Sequence, residues 1–344
     1  MPKVTVLMPV YNAEFYIKES IDSILKQTFE DFEFLIFNDG STDNSADIVR
    51  SYNDKRIKFF DNKQNKGHVY HLNYGIQIAK GEYISRMDAD DISHPMRLKK
   101  QVEFMDRNPK IGVCGTWFII IDSNHIVKPA TDNTRIRLSL LKDSAIGHPT
   151  VILRTNLLKK YGLQYDASFV PAEDYLFWVN LSQYCELANL PEVLLQYRVH
   201  NHQISSVRRK EQKEKAQLVR NHQIEKLLNR HLTNQENIYN SLLFEEKENI
   251  NSNLFPSIKK WINKLITINS KNKVYPRKKL ANLLNKQLND SYQKYYLSKK
   301  NLGEFYNLEI LKDFWISKNC HFNYFSNKQK IVFLIKCLLK YPNY

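Results

Sequence analysis

The sequence predicts an α/β protein, with an open, mostly parallel sheet that carries helices on both faces and a mainly α-helical C-terminal region. Three observations support this prediction. Short apolar, β-branched runs alternate with segments of helical periodicity over residues 1–200, as in parallel β-α-β units. Turn-forming residues close most of these runs. From residue 208 onward the chain is rich in Lys, Asn and Leu and poor in Gly, and its apolar spacing is helical.

The first four strands and helices follow one another in order. The apolar runs predict strands at Val4–Val10, Phe32–Phe37, Ile57–Phe60 and Tyr83–Met87. Helical spacing predicts helices at Glu14–Gln27, Ala46–Tyr52, His68–Ala79 and Pro95–Met105. Parallel strands end at the same edge of a sheet, and open sheets of this class bind ligands at that edge. We therefore expect the functional residues to lie just after the strands.

The pattern is weaker between residues 113 and 207. Strands are expected near residues 113–121, 148–153 and 190–197, and helices near residues 134–142 and 173–184. The composition changes at the charged segment that begins with Arg208. The sequence thus predicts two domains, residues 1–207 and residues 208–344.

The positive charge of the chain is concentrated in its C-terminal part. The net charge of the 344 residues is +15, of which residues 1–200 contribute −1 and residues 201–344 contribute +16. Such a basic block implies an anionic partner, which is a nucleic acid, an acidic lipid surface or an acidic glycan.

The cysteines and apolar runs indicate the cellular compartment. Cys114, Cys185, Cys320 and Cys337 form no CxxC pair and have no zinc-ligand spacing, which favours a reducing environment. Met1 leads directly into an apolar strand without the pattern of a signal peptide. The late apolar run Ile331–Leu339 is too short to span a bilayer as a helix. We expect a cytoplasmic protein, peripheral to the inner face of the membrane if the basic region binds lipid.

An acidic turn follows the fourth predicted strand. Asp88 and Asp90 alternate along Asp88-Ala89-Asp90-Asp91 and can project into one site. Hard divalent cations such as Mg²⁺ take carboxylate ligands and usually also hold substrate phosphates. The alternative is a solvated acidic turn ahead of the helix near Pro95.

Asp39 ends the second predicted strand, next to Gly40. A carboxylate there can accept a hydrogen bond from a nucleobase N–H, and Tyr11, at the end of the first strand, can stack on the base. The turn Asn65-Lys66-Gly67 is expected to reach the same crevice. The alternatives are a turn-forming aspartate, an ordinary tyrosine and an ordinary turn.

Two adjacent carboxylates open the helix predicted near residue 173. Because neighbouring residues diverge on a helix, only one of Glu173 and Asp174 is expected to act as a general base, with Trp178 as an apolar wall. The alternative is stabilisation of the helix N-terminus by acidic side chains. His148 and His200 are further candidates, although an isolated histidine is more often structural.

The ordered set of these motifs resembles the family 2 glycosyltransferases with the GT-A fold, a Rossmann-like fold found in bacterial surface-polysaccharide enzymes. The resemblance covers residues 3–205 and lies in the segments Met8–Asn12, Asn38–Asp43, Asn65–Gly67, Arg86–Asp91, Gly147–Pro149 and Ala172–Tyr175.

The resemblance implies a role for each matching residue. The UDP-sugar would contact the segments already described, at Pro9, Val10, Tyr11, Asn12, Asp39, Asn65, Gly67, Arg86, Asp88 and Ala89. Mn²⁺ or Mg²⁺ would be held by Asp90, with Asp88 and His200 completing its surroundings. Asp174 would be the catalytic base, and Glu173, His148 and Trp178 would lie on the acceptor side.

The implied activity is an inverting transfer of a sugar from UDP to a hydroxyl of a glycan or a lipid-linked glycan. GDP- and dTDP-sugars are alternatives for the donor. A homodimer is an alternative for the oligomeric state. A nucleotidyltransferase would show a Gly-rich loop after the first strand, and Pro9–Phe15 has none. An inactive scaffold would not need the complete set of aspartates. A nucleic-acid-binding protein is disfavoured by the near-neutral first 200 residues and by the lack of a nucleic-acid-binding motif.

Overall fold

The computed structural model describes residues 1–200, 203, 207–244, 254–297 and 326–338. Leu339, the last residue of the apolar run Ile331–Leu339, and the neighbouring Lys340 lie outside the described residues, as does Cys320. The chain divides into two compact units, Met1–Arg220 and Asn221–Tyr344. The functional domain boundary expected at residue 207 stays a prediction.

The first unit contains nine strands. They are β1 (Val4–Val10), β2 (Phe32–Asp39), β3 (Ile57–Asn62), β4 (Tyr83–Arg86), β5 (Ile92–Ser93), β6 (Ile111–Ile120), β7 (Ile126–Val127), β8 (Ile152–Arg154) and β9 (Glu186–Tyr197).

Seven helices of the first unit separate these strands, and an eighth begins in it. They are α1 (Ile17–Leu25), α2 (Ser45–Arg50), α3 (His68–Ile78), α4 (Arg97–Arg107), α5 (Asn133–Ser139), α6 (Thr155–Tyr161), α7 (Glu173–Leu181) and α8 (Arg209–Leu228). The two-residue strands β5 and β7 and the helix α6 were not predicted, because segments this short carry too little periodicity.

The strands form one open sheet in the order β3-β2-β1-β4-β8-β6-β9-β5, with β7 paired to β6. The strands β1 to β4 pair in parallel, as predicted, with Val10 beside Asn38 and Leu7 beside Arg86. The rest of the sheet is mixed. The strand β8 is antiparallel to β4 and β6, and β5 is antiparallel to β9, whereas β6 and β9 are parallel. The predicted α/β class is therefore confirmed, in a sheet that is parallel mainly in its first half.

Helices cover both faces of the sheet, as the sequence predicts. Alternate residues of β1, such as Val6 and Met8, pack in one apolar core with α1 and α4. The intervening Leu7 packs in the other core with α3 and α7. This alternation is the two-residue period of a strand buried on both faces.

The described part of the second unit is helical, which confirms the predicted character of the C-terminal region. Beyond α8, its helices are α9 (Asn234–Phe244), α10 (Phe255–Asn272), α11 (Arg277–Leu297) and α12 (Asn327–Leu338). The helix α10 buries one apolar stripe that includes Trp261 and Leu265. In the described ranges, each helix is too short or too polar to cross a bilayer.

Candidate active site

The predicted site residues gather where β1, β2 and β4 end. Because these strands are parallel and in register, Tyr11, Asp39 and the acidic turn after Arg86 follow neighbouring strands at one edge of the sheet. The N-termini of α3 and α7, the residues around His148 and the segment after β9 supply the rest of the site. The fold thus assembles groups that are distant in sequence, such as His68 and Glu173, which are 105 residues apart and in contact.

Asp39, at the end of β2, holds the turn at residues 65–67 in place through hydrogen bonds. Its carboxylate accepts hydrogen bonds from the backbone N–H groups of Lys66 (2.6 Å) and Gly67 (3.0 Å), and it lies 2.7 Å from Nε2 of the buried His71. Gly40 has a φ of 72°, and a Cβ atom there would lie 2.9 Å from the backbone nitrogen of Asn65. Only glycine therefore permits this close approach. Asp39 is held in place by the protein itself.

Tyr11 is the exposed ring at this end of the site, with about half of its surface accessible (51%). Val10 is buried in the core. Pro9 is partly buried and lies in β1, in the part of the strand that pairs with β2. Asn12 adopts a φ of 48°, and its side chain accepts a hydrogen bond from the backbone N–H of Thr42 at 2.8 Å. These contacts fix the backbone that presents Tyr11, whereas Asn65 is exposed and accepts from the N–H of Gly67.

The acidic turn brings three carboxylates together. Oxygen atoms of Asp88, Asp90 and Asp91 lie within 4.8 Å of one another. Asp91 is fully buried, and one of its oxygens accepts from the backbone N–H of Arg198 at 2.9 Å. Within the described residues its other oxygen, Oδ2, has no hydrogen-bond partner. Clustered oxygen ligands with an unpaired buried carboxylate oxygen fit a hard divalent cation. Ala89 is buried and spaces the two predicted ligands.

Arg86 forms the link between the acidic turn and the other half of the site. Its buried guanidinium pairs with both carboxylate oxygens of Asp88. Burial raises the pKa of Asp88 above its ordinary value, and the positive charge of Arg86 opposes that rise. Arg86 thus neutralises one carboxylate of the turn.

A segment after β9 closes over the acidic turn. Nε2 of His200 lies 3.0 Å from Oδ2 of Asp90, and its ring stacks on Tyr16 with centroids 5.2 Å apart. The guanidinium of Arg198 donates to the carbonyl of Asp90 (2.8 Å) and to Glu19 (2.6 Å). His200, which is 110 residues away from Asp90 in the chain, thus lies at the acidic turn.

The carboxylates of Glu173 and Asp174, at the start of α7, differ in environment. Glu173 is buried, and its Oε1 lies 2.7 Å from Nε2 of His68. Burial alone would raise the pKa of Glu173, but the hydrogen bond and charge of His68 bring it below its ordinary value. Burial and the neighbouring charge of Glu173 raise the pKa of Asp174 to about 7. Opposite shifts in a neighbouring pair mark a division of roles, and Asp174 has the pKa that a general base needs.

His148 and Tyr165 border the carboxylate pair. Nε2 of His148 lies 3.0 Å from the hydroxyl of Tyr165. Burial lowers the pKa of His148 well below its ordinary value, and the charges of Arg86 and His68 act in the same direction. The imidazole is therefore neutral. Trp178 has no exposed surface and packs edge-to-face on His148. It supports that ring from behind and does not line an open wall.

Four residues of the candidate site were given no role of their own in the sequence analysis. His68 and His71 lie in the predicted helix α3, and no sequence pattern separates them from the other residues of that helix. Arg198 was not selected as a site residue. Asp91 was seen in the acidic run, but its burial follows from tertiary packing. The sequence does contain one indication that His68 belongs to the site, because His68 directly follows the turn Asn65-Lys66-Gly67.

Comparison with known proteins agrees with this geometry. Residues 5–162 match the family described as Glycosyl transferase family 2. An uncharacterized glycosyltransferase of Haemophilus influenzae is 37% identical over 243 residues, which are 67% of this chain and 75% of that protein. WfgD of Escherichia coli, a UDP-Glc:alpha-D-GlcNAc-diphosphoundecaprenol beta-1,3-glucosyltransferase, is 34% identical over 213 residues, or 61% of this chain and 82% of that protein.

Solved structures share the fold at lower identity. TarS residues 1–349 of S. aureus, in complex with UDP-GlcNAc, align with a TM-score of 0.59 and 21% identity over 87% of this chain and 92% of that one. The mannosyltransferase PcManGT of Pyrobaculum calidifontis, with GDP-Man and Mn²⁺, aligns with a TM-score of 0.52 and 16% identity over 87% and 88%. These likenesses confirm the GT-A fold. The identity to the H. influenzae protein over three quarters of its length, with the family match, shows that the chain belongs to glycosyltransferase family 2.

Proposed function

We propose that this family 2 glycosyltransferase transfers a hexose or N-acetylhexosamine from a UDP-sugar to a hydroxyl of a glycan or lipid-linked glycan, with inversion, in the synthesis of a surface polysaccharide such as capsule or lipopolysaccharide. The observation that carries the proposal is the pairing of an acidic turn with a carboxylate whose pKa is raised to about 7, both within the electrostatic reach of Arg86. The former suits a diphosphate with a divalent cation, and the latter suits removal of a proton from a hydroxyl.

The nucleotide is proposed to bind where β1 and β2 end. Tyr11 offers an exposed ring for stacking on the base, and the buried Asp39 ends the neighbouring strand β2. Oδ1 of Asp39 already contacts Lys66 N–H and Nε2 of His71, whereas Oδ2 accepts only from Gly67 N–H. Oδ2 therefore has a second lone pair that can accept from N3–H of uracil. The UDP-sugar named for WfgD and the UDP-GlcNAc bound to TarS support this choice of donor.

The donor diphosphate is proposed to lie beside the acidic turn. Asp90 and Asp88 would hold Mn²⁺ or Mg²⁺, with His200 and the unpaired oxygen of Asp91 near them. A divalent cation bound there supplies positive charge beside the phosphate oxygens. Arg86, which the acidic turn already holds through Asp88, adds a fixed cation from the protein.

Asp174 is proposed to accept the proton of the acceptor hydroxyl. As that proton moves to the Asp174 carboxylate, the acceptor oxygen forms a bond to C1 of the sugar. The bond from C1 to the diphosphate oxygen breaks on the opposite face, and its electron pair leaves with UDP. Ser144, whose hydroxyl donates to Asp174 at 3.2 Å, holds the carboxylate in position. Glu173 remains ionised against His68, and His148 offers a neutral imidazole to the acceptor side.

The C-terminal helix α12 is proposed to contact an anionic membrane surface. It exposes Ile331, Val332 and Ile335 and carries Lys328 and Lys330, the combination found in helices that lie in the bilayer interface. An acceptor like that of WfgD, which is linked to diphosphoundecaprenol, would place the substrate at such a surface. A homodimer contact through the same apolar residues is the other outcome that a test has to separate.

A donor panel tests the proposed reaction. The protein would be incubated with Mn²⁺, a lipid-diphosphate-linked sugar acceptor and, one at a time, UDP-, GDP- and dTDP-sugars, and nucleotide release would be measured. We expect release from a UDP-sugar that depends on the acceptor. The matched control is Asp174→Asn, which removes the proton acceptor without changing the size of the side chain. Release from GDP-sugars alone would contradict the proposed base recognition, and release unaffected by Asp174→Asn would contradict the assigned base.

A further inference from the structure

The second unit concentrates positive charge at the turn between α10 and α11. Residues 254–289 contain nine Lys and Arg and no Asp or Glu. Five of these cations, all exposed, lie within nine residues, and we call them the cationic turn: Lys271, Lys273, Arg277, Lys278 and Lys279. In the part of the chain that the structure describes, none of the five forms an ion pair with a carboxylate. Among the described residues, therefore, no ion pair offsets the positive charge of the turn.

The backbone that presents these cations is fixed by buried contacts. Tyr275, between the two helices, is buried, and its N–H donates to Oδ1 of the buried Asn269 at 2.9 Å. The amide of Asn269 in turn donates to the carbonyl of Tyr275 at 2.8 Å. The adjoining apolar residues Leu265 and Leu280 are also buried. The cationic turn is thus an ordered surface feature of the second unit.

Several of these cations stand where local stability disfavours them. Lys273 has a φ of 53°, a left-handed conformation that glycine adopts at the least cost. Arg277, Lys278 and Lys279 occupy the first turn of α11, which contains no acidic residue. The helix dipole disfavours positive charge there, and the five like charges repel one another. Lys271, in the last turn of α10, lies where the dipole favours a cation. For the three cations at the start of α11, a negatively charged partner would offset the unfavourable position.

We infer that the cationic turn binds the anionic head groups of a lipid bilayer, an inference that rests on the proposed function only in that a lipid-linked acceptor lies at such a surface. Clusters of four to eight Lys and Arg are typical of sites for anionic lipid. The ring of Tyr275 is buried, so the turn lacks the exposed aromatic side chains on which single-stranded nucleic acids stack. The same unit exposes the aliphatic residues Ile331, Val332 and Ile335, which favour a bilayer over a nucleic acid. Charge and apolar contact together give the two signals that stable anchoring at a membrane needs.

The test compares two full-length variants that each lose four lysines and one arginine. In the turn variant, the five residues of the cationic turn are changed to Gln. In the matched control, five exposed cations of the first unit are changed to Gln: Lys26, Lys55, Lys99, Arg107 and Lys110. Binding to vesicles of phosphatidylcholine with and without about one third phosphatidylglycerol would be measured by sedimentation at low and high salt. A third variant, with the four lysines of the turn changed to Arg, keeps the charge.

We expect the turn variant to lose at least a hundredfold in its partition onto anionic vesicles, since each cation at an anionic surface contributes about fivefold. The matched control should stay within about threefold of the wild type, and the Lys-to-Arg variant should bind as the wild type does. High salt should release the wild-type protein, because exposed charges are screened beyond about 10 Å at 0.1 M salt. An unchanged melting temperature of the turn variant would exclude unfolding as the cause.

Three results would overturn the inference. Equal losses in the turn variant and the matched control would show that only the total charge matters. Wild-type binding that is the same with neutral vesicles would remove the head groups as the partner. Loss of duplex DNA binding in the turn variant with vesicle binding intact would assign the surface to nucleic acid. Vesicle binding needs no donor or acceptor, and sugar transfer to a soluble acceptor needs no vesicle, so the inference and the proposed function can fail separately.

Discussion

At the scale of single residues, Arg86 connects the two halves of the candidate site. Burial favours the neutral forms of Asp88 and Asp174, and the positive charge of Arg86 opposes this effect on both residues. The guanidinium is itself buried and is held by the Asp88 carboxylate. One cation that the fold has already placed thus stabilises negative charge on the proposed diphosphate side and on the proposed base.

Asp174→Asn should lower turnover at least a hundredfold with nearly unchanged UDP binding, since a general base contributes about 10²–10⁴-fold. In the wild type, kcat/KM should rise with pH through about 7 as Asp174 ionises. The measurement is the pH profile of both proteins with a saturating donor. Glu173→Gln is the control, and a larger loss in that variant would move the base to Glu173.

Asp174→Asn should not destabilise the fold. A carboxyl whose pKa is raised by folding contributes stability that is complete below its unfolded pKa, near 4, and that is lost as the pH rises through about 7. At pH 8 the wild type therefore carries an ionised, unfavourably placed Asp174. The melting temperature of Asp174→Asn at pH 8 should equal or exceed that of the wild type, and a clear fall would show that the carboxylate is needed for folding.

Asp90→Asn should abolish transfer while the protein stays folded, because one of the proposed cation ligands loses its charge. Mn²⁺ binding, measured by calorimetry in the presence of UDP, should weaken in parallel. Treatment of the wild type with EDTA should reproduce the loss, and added Mn²⁺ or Mg²⁺ should restore activity. Full activity in EDTA would contradict the proposed cation.

At the scale of structural elements, the turn at residues 65–67 and the helix α3 join the two ends of the site. Asp39 holds the N–H groups of Lys66 and Gly67 on one side. The next residue, His68, contacts Glu173 of α7 on the other side at 2.7 Å. A change at the end of β2 is therefore expected to reach the carboxylate pair through a short, rigid segment.

Asp39→Ala should affect both binding and folding. Its loss leaves two backbone N–H groups and the buried His71 without an acceptor, at a cost of about 1–3 kcal/mol in stability. We expect UDP affinity to fall by about 1–3 kcal/mol as well, the scale of a lost charge-assisted hydrogen bond. Chemical unfolding and calorimetry would measure the two effects. Wild-type calorimetry with equal affinities for UDP and GDP would contradict recognition of uracil by this residue.

Truncation before α12 tests the proposed apolar contact with the membrane. A chain ending at Ser326 lacks the exposed Ile331, Val332 and Ile335 but keeps the cationic turn. We expect it to bind anionic vesicles more weakly than the full chain while retaining salt sensitivity. Sedimentation with vesicles gives the first quantity, and light scattering gives the oligomeric state. A change from dimer to monomer with unaltered vesicle binding would assign the helix to a subunit contact.

At the scale of the whole molecule, much of the fold followed from periodicity, whereas the connections inside the site did not. The apolar runs around Val6 and Phe34 predicted strands that the structure contains. The antiparallel strand β8 breaks the expected parallel order, since pairing partners depend on contacts distant in sequence. Asp39, Asp90 and Asp174 were selected as strand-end or helix-start carboxylates. His68 and Asp91 were missed, because their importance lies in burial and in partners from other elements.

Linkage gives a prediction for the molecule as a whole. We expect UDP with Mn²⁺ to bind only the folded state, so at about 100 times its dissociation constant it should stabilise the protein by about 2.7 kcal/mol. A rise of several degrees in the melting temperature should follow, and GDP at the same concentration should produce a smaller one. Thermal shift assays with Mn²⁺ or EDTA provide the measurement, and identical shifts for the two nucleotides would count against a UDP-specific site.

The hydrogen bonds between Asp39 and the turn at residues 65–67 have a consequence for protein engineering. To change the donor nucleotide, the first residue to vary would be Asp39, the carboxylate proposed to contact the base. In this protein that carboxylate also anchors Lys66 and Gly67, and Gly40 leaves no room for a Cβ atom beside it. A library at Asp39 would therefore mostly return misassembled proteins. Tyr11 is exposed and makes no such anchoring contact in the site described above, so we expect substitutions there to change the donor preference while the hydrogen bonds of Asp39 stay intact.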